Sequence, residues 1–251
     1  MRLLRSKTSC RGLILSSLLL PVAALSALKW WPRDELHRVV PRSKLRRAVE
    51  TSFDAWIEPQ VKRVAVSDPT AAKIVKAARA QEGDDYDASY LKLSYPGGDV
   101  PKGRGACTDV VVRALRGAGF DLQHLVHEDM RRDFGRYPDP WKLRRTDKNI
   151  DHRRVPNLST YFEKYGQVLP LQTSGKALKT WLPGDIVTWK LAGNKDHIGV
   201  VSDGIGTSGK PMVVHNAFQC IEQDYLDAWP IVGHFRFPKR ALESLNHGAS
   251  S

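Results

Sequence analysis

The chain has 251 residues, 41% hydrophobic and 26% charged, which fits a soluble globular protein with one principal domain plus an extension. Its 39 Lys and Arg against 27 Asp and Glu give a formal net charge of +12, a balance that favours anionic envelope polymers and lipid or serves solubility alone. No stretch interleaves clustered arginine with aromatic residues, which argues against a nucleic-acid platform.

Arg2, Arg5, Lys7 and Arg11 precede the apolar run GLILSSLLLPVAALSAL, and ALSA at 24–27 offers a cleavage site. This charged-then-apolar order predicts residues 1–27 to be a signal peptide, or a signal anchor if uncleaved, and hence an exported protein of the periplasm or cell envelope. Without those residues 35 basic groups face 27 acidic ones, a net charge of +8. Residues 28–66, with Trp30, Trp31 and many basic side chains, read as an extension suited to a membrane surface or as a packed helix.

The principal domain is expected over 67–240, with 241–251 as a tail. It opens on a helix over 67–83, capped by Asp68, with Pro69 in the first turn and Ala71, Ile74, Val75 and Ala78 as its apolar stripe. A Tyr-, Gly- and Pro-rich loop with Tyr95, a candidate lining residue, leads to Cys107. From Thr108 the positions Val110, Val111, Ala114, Leu115 and Ala118 follow helical spacing, so Cys107 falls at a helix start. Helices are expected near 122–134 and 157–166. GDIVTWKL, HIGVVSD, PMVVHN and IVGHFRF then read as short strands of an antiparallel meander, an α+β order.

A cysteine attacks as the thiolate, and the free N–H groups and dipole of a helix N-terminus favour that anion and an oxyanion formed beside it. His197, opening a predicted strand, is the candidate base. If 197–202 and 211–216 form a hairpin around the loop 203–210, Ser202 lies opposite Pro211. His197 then lies opposite Asn216, or opposite His215 after a one-residue change of register. Either residue would orient one imidazole nitrogen and leave the other for the thiol. A disulfide between Cys107 and Cys220, the two cysteines beyond the signal, competes with a nucleophilic Cys107.

Asp109 in the first helical turn is a cap or a binder of a substrate amino group. Asp151, His152, Arg153 and Arg154 could hold a substrate carboxylate or form an internal salt-bridged loop. No short-spaced Cys or His pair signals a metal, and no motif implies a cofactor.

YPGGDVP, ACTDVVVRALR, DLQHLVHEDM, NIDHRRVPNL, PGDIVTW, DHIGVVSD and VVHN together resemble the YijF-type family of exported bacterial proteins, over about residues 68–238. That family resembles a branch of the NlpC-type, papain-like cysteine peptidases and amidases, many of which cut bacterial cell-wall peptides. The resemblance implies a papain-like α+β fold whose nucleophile-bearing helix packs on an antiparallel sheet. It implies Cys107, His197 and His215 as nucleophile, base and orienter, and a peptidoglycan amide as substrate. NlpC-type enzymes commonly carry an Asp immediately before the cysteine; here Ala106 stands there and Asp109 follows two positions later.

Overall fold

Asp68 accepts a hydrogen bond from the Thr70 N–H at 2.8 Å and so opens α1 (Pro69–Arg79), whose Ile74, Val75 and Ala78 are buried. The cap and N1 proline supply the start that the sequence predicts. The computed structural model describes residues 61–238; the segments expected to be a signal and a tail, and most of the expected extension, lie outside them.

After α1 the chain makes two short strands that pair in parallel, β2 (Asp85–Tyr86) and β3 (Arg104–Gly105), then α2 (Cys107–Gly117). Val110, Val111, Val112, Ala114 and Leu115 of α2 are all buried. A side chain of that size contributes about 1.5–3 kcal/mol when taken from water, so this face holds the helix on the sheet. Gly117 lets α1 come close, since a Cβ there would lie 2.5 Å from the Ala77 Cβ. α3 (Leu122–Arg132) is capped by Asp121, and α4 (Val155–Tyr165) carries Pro156 in its first turn.

The remaining chain is strand-rich: β4 (Gln167–Val168), the short α5 (Gly175–Leu178), β5 (Ile186–Leu191), β6 (Lys195–Ile205), β7 (Pro211–Asn216), β8 (Cys220–Gln223) and β9 (Ile231–Arg236). Their order in the antiparallel sheet is β4-β9-β5-β6-β7-β8. β1 (Lys62–Arg63) also pairs with β6, and Arg63 bonds Asp203 and Glu222, so the end of the segment expected to be an extension is part of the sheet.

Alternation along the strands divides two apolar layers. Ile186, Ile198, Val200, Val214 and Phe235 face the helices. Val187, Trp189, Val201 and Val213 face the other way, under Trp181, Leu226 and Trp229. The four longer helices, α1 to α4, pack on one face of an antiparallel sheet, which makes this an α+β fold.

The β6–β7 pairing differs from the simple hairpin. Val200 lies opposite Val214 and Val201 opposite Val213, whereas Pro211 lies opposite Ile205 instead of Ser202. A bulge between Val201 and Ile205 takes up the difference, extends β6 into the expected loop, and displaces both registers read from symmetry.

Candidate active site

Cys107 is the first residue of α2. Ala106 cannot cap through its side chain, and Asp109 instead reaches back, its Oδ2 accepting from the Ala106 N–H at 2.7 Å. The carboxylate is neutralised in turn by Arg153, whose Nε and Nη2 donate to it at 2.9 Å. Both side chains are sealed from water, at 2% and 4% exposure, so a substrate amine or carboxylate finds neither partner free. The remaining Arg153 donors go to the carbonyls of Ser89 and Asp87. Thr108 Oγ1 also donates to the Arg153 carbonyl.

The sheet explains what the thiol meets. Val201 bonds through its N–H to Asp185 and through its carbonyl to Gly184, on the β5 side. By the two-residue period, the N–H groups of Val200 and Ile198 point toward β7. The β6–β7 register ends at the Val200–Val214 pair, and the Ile198 N–H acts on the Cys107 thiol so as to lower it. The N–H groups of Cys107 and Thr108 approach the same sulfur from the helix start. Burial pushes the thiol up to about 12 against these three N–H groups, and Asp109 adds to the rise. Cys107 is 6% exposed and a thiol in the resting protein.

His197 lies directly opposite Trp189 and stacks on it, with ring centroids 5.6 Å apart; Trp229 meets it edge-on. The displaced register leaves no direct His197–His215 pairing. It does preserve parity: the Val201–Val213 pair puts both histidines on the Trp189 face, where they meet diagonally. Their rings stand perpendicular, with His197 Nε2 at 3.0 Å from His215 Nδ1. His215, and not Asn216, is therefore the residue that meets a ring nitrogen of His197. Asn216 faces the other side and donates to the carbonyls of Gly105, Asp84 and Asp85, tying the end of β7 to the loop before Cys107.

Beyond His215 stands Gln223, whose Oε1 is 3.1 Å from His215 Nε2. This residue was not legible in the sequence, because β8 is a four-residue polar strand with no clear alternation. It fixes the proton arrangement. A carbonyl oxygen only accepts, so His215 Nε2 carries the proton and Nδ1 accepts from His197 Nε2–H. That leaves the lone pair of His197 on Nδ1, the nitrogen not used by His215. Burial, then His215, lowers His197 to about 3, and burial lowers His215 as well, against Gln223. Both rings are neutral around pH 7. Tyr225 stacks on His215 from the outer side.

Tyr86, half-exposed next to the β3–α2 connection, is a second residue the sequence did not single out; burial raises its phenol, with Cys107 and Asp109 adding to the shift. Tyr95 sits elsewhere, on α3, with its hydroxyl donating to Glu128 and meeting His124. Asp151 is fully buried and accepts from the Asp147 N–H, and burial holds its carboxyl above the usual range. His152 is 1% exposed and lowered to about 4, first by burial. Buried in this way, Asp151 and His152 support the loop behind α2 and present nothing to a surface ligand.

Cys107 and Cys220 are both free and buried, so the cross-link that competed with a reactive Cys107 is absent. Among the described residues no three His, Cys, Asp or Glu side chains converge in a group that could hold a metal, and no helix is long and apolar enough to cross a membrane.

A family model described as "Domain of unknown function (DUF1287)" matches residues 75–237. The chain is 50% identical over 171 residues to "Uncharacterized protein YijF" of Escherichia coli (strain K12), covering 67% of this chain and 82% of that protein. Among solved structures, NlpC1 and NlpC2 from Trichomonas vaginalis each align with 72% of this chain at 14% identity. Their TM-scores are 0.39 and 0.38, with 48% and 51% of their own chains covered. A protein described as similar to lipoprotein, NLP/P60 family, from Staphylococcus aureus aligns with 75% of this chain at 13% identity and a TM-score of 0.33, with 48% of its length covered. The chain thus spans about half the length of these solved structures. By the family match and by its half-identity with the Escherichia coli protein, the chain belongs to the family described as Domain of unknown function (DUF1287).

Proposed function

We propose that the chain is a papain-like cysteine hydrolase that cleaves an amide or peptide bond, with Cys107 as nucleophile, His197 as base and His215 as orienter. The observation that carries this reading is the ordered hydrogen-bond run from Gln223 through His215 to His197, which leaves a lone pair on His197 Nδ1. Cys107 supplies the thiol from the start of α2, the helix that packs on β6, the strand that carries His197.

In the reaction the Cys107 sulfur attacks the carbonyl carbon while its proton passes to His197 Nδ1. The tetrahedral oxyanion forms near the α2 N-terminus, whose N–H groups stabilise developing negative charge. Collapse breaks the C–N bond, and the amine leaves with the proton from His197. Water, deprotonated by the same nitrogen, then hydrolyses the thioester and frees the acid and the thiol. Because thiol and imidazole are both neutral at rest, proton transfer accompanies attack instead of preceding it.

The substrate we assign is a peptide or other amide of peptidoglycan, and the place of action the periplasm or cell envelope. This rests on the family resemblance of the motifs and on the signal-like N-terminus, whose tryptophans and basic residues also suit contact with a membrane surface. Purified sacculus fragments incubated with wild type, Cys107→Ala and His197→Ala test it. New amine ends with wild type alone are expected; full hydrolysis by Cys107→Ala would overturn the assignment.

The near-complete burial of Cys107 favours one other reading, a non-enzymatic module that binds wall peptide. In that case wild type would retain sacculus fragments without releasing new ends. Transfer of the acyl group to an added amine, in place of water, would identify an acyltransferase by its product.

A further inference from the structure

Arg153 and Arg154 are neighbours with opposite fates. Arg153 turns inward and is consumed by Asp109, whereas Arg154 turns to a cavity of about 400 Å³ lined also by Lys142, Arg144, Arg145, Asp147, Leu143 and Ile150. Ion pairs engage most of the other arginines in the described chain, but Arg144, Arg145 and Arg154 make none. Arg154 rests on the face of Trp141, 4.0 Å from its centroid, and its Nη1 is buried with no hydrogen-bond partner. An unpaired buried guanidinium nitrogen is costly unless a ligand meets it.

Asp151, Asp147 and Asp139 act on Arg154 from a distance, but none of them forms an ion pair with it. Asp147 accepts from the Tyr90 hydroxyl and from the backbone and side-chain nitrogens of Asn149. Lys142, an exposed residue of the lining, holds a φ of 55°, a left-handed conformation uncommon for a residue other than glycine. Four cations without a salt bridge around a small concave site, one of them resting on an aromatic ring, are an arrangement that can recognise clustered anionic oxygens.

We propose that this cavity is a binding site for a small polyanionic ligand, one bearing two or more carboxylate or phosphate groups, with Arg154 as its fixed anchor and Lys142, Arg144 and Arg145 closing on it. Cys107 does not line the cavity, and the proposal stands whether or not the chain is a hydrolase.

Calorimetric titration of the full chain with citrate and with pyrophosphate tests the site, each arm repeated with Arg154→Gln and with Lys102→Gln. Lys102 is an exposed lysine outside the cavity and controls for diffuse attraction to a basic protein. Saturable binding of at least one probe is expected, weakened tenfold or more by Arg154→Gln and less than twofold by Lys102→Gln. The tighter arm then identifies the oxygen acid. Binding by neither probe below millimolar concentration, or equal weakening in both variants, overturns the proposal. If circular dichroism shows Arg154→Gln to be unfolded, the exposed pair Arg144→Gln/Arg145→Gln is used, and binding unchanged by that pair overturns it equally.

Discussion

Acidification from pH 7 to pH 5 should destabilise the folded domain, and replacing His197 should remove a definable part of the effect. Burial, then His215, holds His197 near 3, whereas an imidazole in the unfolded chain titrates near 6.5. The folded pKa is depressed, so the contribution is fully present above pH 6.5 and is lost as the pH falls from there toward 3, because only the unfolded state takes up the proton. Between pH 7 and pH 5 that uptake amounts to about 2 kcal/mol for one histidine. His152, lowered to about 4 chiefly by burial, and His215, lowered by burial, act in the same direction. Asp151 opposes them, since burial raises its carboxyl and the folded form keeps its proton longer. Comparison with His197→Gln isolates the one group, because the amide can still donate to His215. In urea unfolding at the two pH values, wild type should lose about 2 kcal/mol more than the variant. Equal losses would refute the reasoning: His197 would then accept a proton in the folded protein, as it does when it faces a thiolate.

The thiol supplies a related measurement: with Cys107 pushed up to about 12 by burial, the rate of its alkylation by iodoacetamide should climb steadily through pH 8–10. A plateau between pH 5 and 7 would mean a preformed ion pair. Gln223→Leu should lower turnover of sacculus fragments by about tenfold, roughly 1.4 kcal/mol, while Gln223→Glu, which also accepts from His215 Nε2, should retain most of it. In Gly199→Ala the new Cβ would lie 2.7 Å from Val213 Cγ1, 3.0 Å from the Val214 carbonyl and 3.1 Å from the His215 Cβ. This overpacking should cost about 1–3 kcal/mol in urea unfolding and reduce activity by displacing His215. Arg153→Leu strands the Asp109 carboxylate in the interior and should cost about 3–5 kcal/mol by the same measurement.

Features that act within a few residues were legible before any fold was known. Asp68 and Pro69 start a helix, apolar spacing from Val110 continues one, and Cys107 therefore stands at an N-terminus, because caps and periodicity are local. Alternation around VVH likewise defined a strand face. The partners of those features came from long-range packing. The bulge after Val201 set a register that symmetry does not predict, joined His215 to His197, and sent Asn216 to the loop before Cys107. Long-range packing brought Arg153 across 44 residues to Asp109, turning two candidate ligand-binding groups into a closed ion pair and leaving Arg154 open. It also introduced Gln223 from a strand too short to announce itself, and with it the tautomer of both histidines. Propensity and capping depend on neighbours along the chain, whereas register, burial and charge pairing depend on which distant surfaces pack together. For that reason the position of Cys107 at a helix start was readable in the sequence, while the hydrogen bonds among His197, His215 and Gln223 required the fold.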